Sequence, residues 1–122
     1  MSHKVPAVEP VTDKDTLIKY LEKGIKPRES WRIGTEHEKF VYRLSDYAPL
    51  AYDGHPGIRQ ILEKLQRYGW APVMEKDNVI ALKKTDGSSV TIEPGGQFEL
   101  SGATVANIHQ TCNEVQSHLT VV

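Results

Sequence analysis

The sequence holds one cysteine in 122 residues, so no disulfide can close within the chain and no thiolate metal site can be assembled. It has no run approaching the roughly eighteen apolar residues of a membrane-spanning helix. It has no excess of charge either. Fifteen Lys and Arg stand against sixteen Asp and Glu, a net −1, so no global field selects a nucleic acid or a membrane surface. The opening residues, Met1 to Pro10, are polar and punctuated by proline, without the apolar centre of a secretory signal. They leave the cytoplasm as the expected compartment. The zinc-helix pattern His-Glu-x-x-His is missing, and no Walker-type lysine follows Gly95-Gly96. No Ser-His-Asp arrangement can be argued. What remains, with 39% apolar and 25% charged residues, fits one ordinary globular domain with a modest core.

Against that plain background one stretch stands out, Trp31-Arg32-Ile33-Gly34-Thr35-Glu36-His37-Glu38-Lys39-Phe40. It reads as a strand over about 31–44. Residues two apart in a strand share a face. Glu36 and Glu38 therefore align with Phe40, Tyr42 and Leu44, a row expected to face the core, while His37, Lys39 and Arg43 fall on the other side. A desolvated carboxylate costs several kcal/mol, on the order of magnitude, unless a positive partner meets it. Gly34, unusual inside a strand, suggests a bulge or the close approach of another group.

The surrounding elements are legible from punctuation and period. Residues 1–11 are expected to form a flexible arm. Thr12-Asp13-Lys14-Asp15 resembles a capping box opening a short helix with Leu17, Ile18 and Leu21 on one side, expected to pack on a sheet. Gly24 and Pro27 stop it. A second helix, over about 57–68, carries Ile58, Ile61, Leu62 and Leu65 at three-and-four spacing and closes at Gly69. Short strands follow at 70–75, 79–84, 88–93 and 97–101, joined by turns at 76–78, 85–87 and 94–96. The last segment, about 104–122, places Val105, Ile108, Cys112, Val115, Leu119 and Val122 on one helical seam, expected to be buried. It reaches Val121-Val122 with no Gly, Pro or polar cap, so the chain reads as cut. The pattern as a whole is α+β, an antiparallel sheet backed by helices.

A second acidic pair, Glu93 and Glu99, flanks the turn Pro94-Gly95-Gly96. With Glu36 and Glu38 it makes four carboxylates that an antiparallel sheet could bring together. Hard cations such as magnesium take carboxylate oxygens and leave their other positions to water and phosphate. Acidic strand faces are also common where they are merely solvated or salt-bridged, and spacing leaves both readings open. His37 falls on the face opposite the glutamates, which makes Glu36-His37-Glu38 a poor three-ligand site. His109 and His118 lie off the apolar seam and read as solvated or core-edge histidines. Cys112, on that seam, reads as a small buried hydrophobe.

Two of these motifs together are specific. The stretch Trp31 to Phe40, the stretch Ile92-Glu93-Pro94-Gly95-Gly96-Gln97-Phe98-Glu99-Leu100-Ser101-Gly102-Ala103, and His109-Gln110-Thr111-Cys112 resemble glutamate–cysteine ligase of the plant and proteobacterial type. The resemblance covers nearly the whole chain beyond the first dozen residues. It implies a partial glutamine-synthetase-like catalytic fold over residues 12–122. It also implies ATP and magnesium as reaction components, glutamate and cysteine as substrates, and a γ-glutamyl phosphate on the way to γ-glutamylcysteine, the first step of glutathione biosynthesis. Carried over by position, Glu36, Glu38, Glu93 and Glu99 correspond to magnesium ligands, and Cys112 to one half of a regulatory disulfide whose partner would lie beyond residue 122. Members of the family run to several hundred residues. The chain is therefore expected to be the N-terminal portion, inactive alone, with an exposed sheet edge and helix seam that favour self-association. The alternatives are a non-catalytic α+β binding or oligomerisation module, and a related carboxylate–amine ligase with another amine acceptor.

Overall fold

A computed structural model of the chain describes residues 10–122. The arm expected over 1–11 lies outside them but for its last two residues. The chain divides at Trp31–Arg32 into two compact units.

The first unit holds helix α1 (Lys14–Glu22) and a single 3-10 turn at Arg28–Ser30. The cap of α1 is Asp13, one residue later than the capping-box pattern suggests. Its Oδ1 accepts from Thr16 N at 2.8 Å and its Oδ2 from Thr16 Oγ1 at 2.7 Å. Both bonds favour the ionised carboxylate, so they hold the Asp13 acid below its usual range. The C-cap is Lys23, with Gly24 next, and Pro27 caps the 3-10 turn.

The second unit is a five-stranded antiparallel sheet carrying two helices. Its elements are β1 (Glu36–Phe40), α2 (Ile58–Leu65), β2 (Ala71–Glu75), β3 (Asn78–Lys83), β4 (Ser89–Ile92), β5 (Gln97–Ser101) and α3 (Ile108–Val121). The strand order is β1-β5-β4-β3-β2, so β1 and β2 are the edges. Helix α2 keeps its expected face inward, with Ile58, Leu62 and Leu65 buried. A 3-10 turn, Gln66–Tyr68, ends at Gly69, whose φ of 83° lies in the left-handed region that favours glycine. The core joins these side chains to Trp70, Val79, Leu82, Val90, Phe98 and Leu100. Each such fully buried side chain contributes about 1.5–3 kcal/mol relative to exposure. The fold class read from the sequence, α+β with an antiparallel sheet, is the one observed.

Three expectations are corrected. First, the acidic strand is shorter than 31–44. It starts after Gly34 and ends at Phe40, with isolated bridges from Ile33 to Val105 and from Tyr42 to Pro49 on either side. Among the described residues, nothing beyond its chain neighbours lies within 4 Å of where a Cβ would stand at Gly34, so none approaches it closely. Second, the glutamate row does not face the core. In β1 it is His37 and Lys39 that are partly buried, while Glu36, Glu38 and Phe40 are exposed, Phe40 at 71%. The pairing with β5 decides this. His37 stands opposite Leu100 and Lys39 opposite Phe98, and those two partners belong to the core.

Third, α3 begins at Ile108, not near 104, and turns its polar side inward. Asn107 caps it by accepting from Gln110 N at 3.1 Å, and Gln110 Oε1 reaches back to accept from Ala106 N at 2.8 Å. The buried residues of α3 are Thr111 and His118. Of the expected seam, Ile108, Cys112, Leu119 and Val122 are exposed, while Val105 and Val115 are half-buried. The helix is rotated by about a quarter turn, one residue's worth, from the orientation that its apolar period favours.

Candidate metal-binding face of the sheet

The face of the sheet away from α2 and α3 carries the side chains that alternate with the core residues. On β1 these are Glu36, Glu38 and Phe40, and on β5 they are Gln97, Glu99 and Ser101. On β4 they are Ser89 and Thr91. The register sets them in rows. Glu36 pairs with Ser101, and Ser101 with Ser89. Glu38 pairs with Glu99, and Glu99 with Thr91. Residues paired in this way hold their Cβ atoms about 4.5–5.5 Å apart.

Glu93 joins the face from the end of β4. Its N–H donates to Gln97 O at 2.9 Å and its carbonyl accepts from Gly96 N at 2.8 Å, which closes the tight turn over Pro94-Gly95-Gly96. Gly96 sits there at φ 83°. Thr91 Oγ1 donates to Glu93 Oε1 at 3.3 Å, a bond that puts the Glu93 carboxylate on the Thr91 side of the sheet. The Gly-rich stretch is thus a turn that delivers β5, as its sequence suggests, and not a phosphate loop.

Glu99 differs from the other acids. On the interior strand β5, flanked by β1 and β4, it is 8% exposed, although it faces away from the helices. Its Oε1 accepts a short bond from Ser101 Oγ at 2.5 Å. A hydroxyl–carboxylate bond of this length is charge-assisted and strong. The ion pairs Arg43–Asp46 and Arg59–Asp53 lie off this face. The sheet therefore gathers all four sequence-predicted glutamates on one side. Among the described residues, no three of the His, Cys, Asp or Glu side chains close into a metal-holding group. The donor set is hard oxygen throughout. That fits magnesium, which commonly uses one or two carboxylates and completes its octahedron with water and phosphate oxygens. The hydroxyls of Ser101 and Thr91 were not named as site residues from the sequence, although the strand period places them on the glutamate faces, each two residues from a glutamate.

The other face holds a second polar group, around a histidine expected to be solvated or at the core edge. His118 is 5% exposed, its ring stacked on Phe98 at 6.3 Å and edge-on to His37 at 6.4 Å. Among the described residues, neither ring nitrogen has a hydrogen-bond partner, nor do His37 Nδ1, Thr111 Oγ1 and Glu114 Oε2. Burial, with the nearby charges of Lys39, His37 and Lys84, pushes the His118 pKa down to about 4. Burial also lowers the Lys39 pKa. Glu114 Oε1 accepts from Ala103 N at 2.7 Å and its other oxygen presses on Gly102, where a Cβ would collide. A cleft of about 390 Å³ opens beside this group, lined by Trp70, Lys84, Asp86, Glu114, Ser117 and His118. Lys84 lies over the Trp70 ring at 4.4 Å. His109 is exposed, and so is Cys112, which corrects its reading as a buried hydrophobe.

Comparison with known proteins places the chain in a family. Residues 32–122 match the family model of glutamate-cysteine ligase family 2. The chain is 51% identical over 116 residues to glutamate–cysteine ligase A, chloroplastic, of Oryza sativa subsp. japonica, covering 94% of this chain and 23% of that protein. It is 50% identical to the chloroplastic glutamate–cysteine ligase of Medicago truncatula and 48% identical to that of Arabidopsis thaliana. In both cases 94% of the chain is covered, against 22% and 21% of the relative. The chain thus spans less than a quarter of the length of these relatives. Their names place them in the chloroplast, which overturns the expectation of a cytoplasmic protein. The missing apolar signal centre bears only on secretion, because plastid transit peptides are amphipathic and lack such a centre. The match begins at Arg32, takes in both glutamate motifs and runs to the last residue: this chain belongs to glutamate-cysteine ligase family 2.

Proposed function

We propose that residues 12–122 are the N-terminal part of a glutamine-synthetase-like catalytic domain of an ATP-dependent glutamate–cysteine ligase. In that reading the sheet face of Glu36, Glu38, Glu93 and Glu99 holds magnesium. The observation that carries it is the direct opposition of Glu38 and Glu99 across β1 and β5. Two like charges side by side destabilise a sheet unless something positive sits between them. A cation whose other positions take ATP phosphates is the partner that the family's reaction supplies. Magnesium, when bound, would neutralise charge on the phosphates and on the glutamyl carboxylate during transfer. The γ-carboxylate of glutamate would take the terminal phosphoryl group of ATP, releasing ADP. The amine of cysteine would then displace phosphate to give γ-glutamylcysteine for glutathione biosynthesis.

The residues of this chain have the task of presenting oxygen ligands from a rigid sheet. In this reading the further substrate contacts correspond to parts of the relatives that this chain does not span, so the chain alone has no turnover. Calorimetric titration with magnesium, with and without ATP, tests the metal site. Binding heat that Glu36→Ala and Glu99→Ala abolish supports it, and no heat in the parent chain overturns it. Assays of the longer protein with cysteine and with other amines separate cysteine ligation from a related carboxylate–amine ligation. Cys112 is exposed in this chain, so thiol–disulfide exchange can reach it in the regulatory reading.

A second reading, a binding or oligomerisation module, draws on the open edge of β1 and on the exposed Ile108, Leu119 and Val122 of the α3 side. Light scattering after size exclusion tests it. A concentration-dependent dimer favours self-association, and a clean monomer counts against it.

A further inference from the structure

On the glutamate face, the short bond between Ser101 and Glu99 is made by two residues of one strand, two positions apart. A serine hydroxyl has one proton to donate, and Ser101 commits it to Glu99 Oε1. We propose that Ser101 is a positioning residue that holds the Glu99 carboxylate in the orientation in which its second oxygen meets a divalent cation. This rests on the reading of Glu99 as a cation ligand and adds to it a residue that does not touch the cation.

The register supports the assignment. Ser101 sits between Glu36 on β1 and Ser89 on β4, one row along from Glu38, Glu99 and Thr91. It reaches Glu99 along its own strand, so the bond does not depend on the edge strand β1 staying paired. Glu99 is the most buried of the four acids, and a buried carboxylate oxygen left without a donor is costly. With Oε1 already held by the hydroxyl, the carboxylate plane is fixed and Oε2 is the oxygen left freer to meet a cation. Magnesium demands near-ideal octahedral angles. A ligand whose side-chain freedom is already lost before the ion arrives therefore binds it better. Thr91 is the internal contrast. It makes the same two-residue reach to Glu93, but at 3.3 Å instead of 2.5 Å, so its hold is weaker.

The test uses the 122-residue chain with Mn²⁺ as the probe, free Mn²⁺ being counted by electron paramagnetic resonance. The variants are Glu99→Gln, Ser101→Ala, Ser101→Thr and Thr91→Val. Ser101→Ala is expected to weaken Mn²⁺ binding by about tenfold to a hundredfold, the usual effect of removing an outer-shell partner. Ser101→Thr, which keeps the hydroxyl, restores most of the affinity, and Thr91→Val has a smaller effect. The urea midpoint without metal should stay near the parent value for Ser101→Thr, which separates positioning from loss of fold. If Glu99→Gln abolishes binding while Ser101→Ala binds as the parent does, the role of Ser101 is overturned and the cation reading stands. Equal weakening by Ser101→Ala and Ser101→Thr also overturns it. If the parent chain binds no Mn²⁺, or Glu99→Gln binds it as well as the parent, the cation reading fails and takes this proposal with it.

Discussion

Glu38 and Glu99 stand opposite each other in the β1–β5 ladder, the first exposed and the second 8% exposed with one oxygen bonded to Ser101. Two like charges in that arrangement oppose each other by roughly 0.2–1 kcal/mol. Replacing Glu38 with Gln keeps the shape and removes the repulsion. Without metal, Glu38→Gln should raise the unfolding free energy read from urea melts by an amount in that range. With magnesium present, the parent chain should gain stability by mass action, and the variant should gain less. A variant that gains as much from magnesium as the parent would separate Glu38 from the ion.

His118 makes the second unit sensitive to acid. Its folded pKa is lowered from 6.5 to about 4, so between these values the unfolded chain binds the proton more readily than the folded chain. The stabilisation is fully present above pH 6.5 and is lost as the pH falls toward about 4. The loss is on the order of 2–3 kcal/mol. His37, Lys39 and Lys84 face the ring and would repel the imidazolium. Urea melts from pH 7 to pH 4 should show this slope, and His118→Gln should flatten it.

The inward turn of α3 sets a contrast between neighbouring side chains. Phe98, 1% exposed and stacked on His118, should cost about 3–5 kcal/mol when changed to Ala. Leu119, 47% exposed on the outer side of α3, should change the stability of this chain by no more than about 0.5 kcal/mol on the same substitution. Comparable losses at both positions, measured by chemical denaturation, would mean that the apolar seam is covered.

Cys112 is exposed on that same outer side. An aromatic disulfide reagent should titrate one thiol in the native chain without a lag, at a rate close to that in denaturant. A thiol that reacts only after unfolding would show that the helix face is buried in solution.

The cap of α3 gives a local check. Asn107→Ala removes the acceptor for Gln110 N and should cost about 1 kcal/mol. Circular dichroism during a thermal melt reads it as a lower midpoint.

Much of this chain is set by local chemistry that a sequence carries openly. Helix α2 follows from the spacing of Ile58, Leu62 and Leu65, and its end from Gly69. Strand β5 lies at 97–101 because Phe98 and Leu100 alternate with Gln97, Glu99 and Ser101 behind a Gly-rich turn. The strand period also put Glu36 with Glu38, and Glu99 with Ser101, on common faces. What the period leaves open is which of two faces looks inward. For β1 that depends on a partner 61 residues along the chain, since Glu38 pairs with Glu99, and the pairing puts His37 and Lys39 on the side of Leu100 and Phe98. For α3 the strongest apolar stripe, Ile108 to Val122, lost to the polar stripe of Thr111 and His118. A hydrophobic period records that a face is to be covered, but not by which neighbour. Only the packed sheet decided that the acids open outward together and that the histidine turns in.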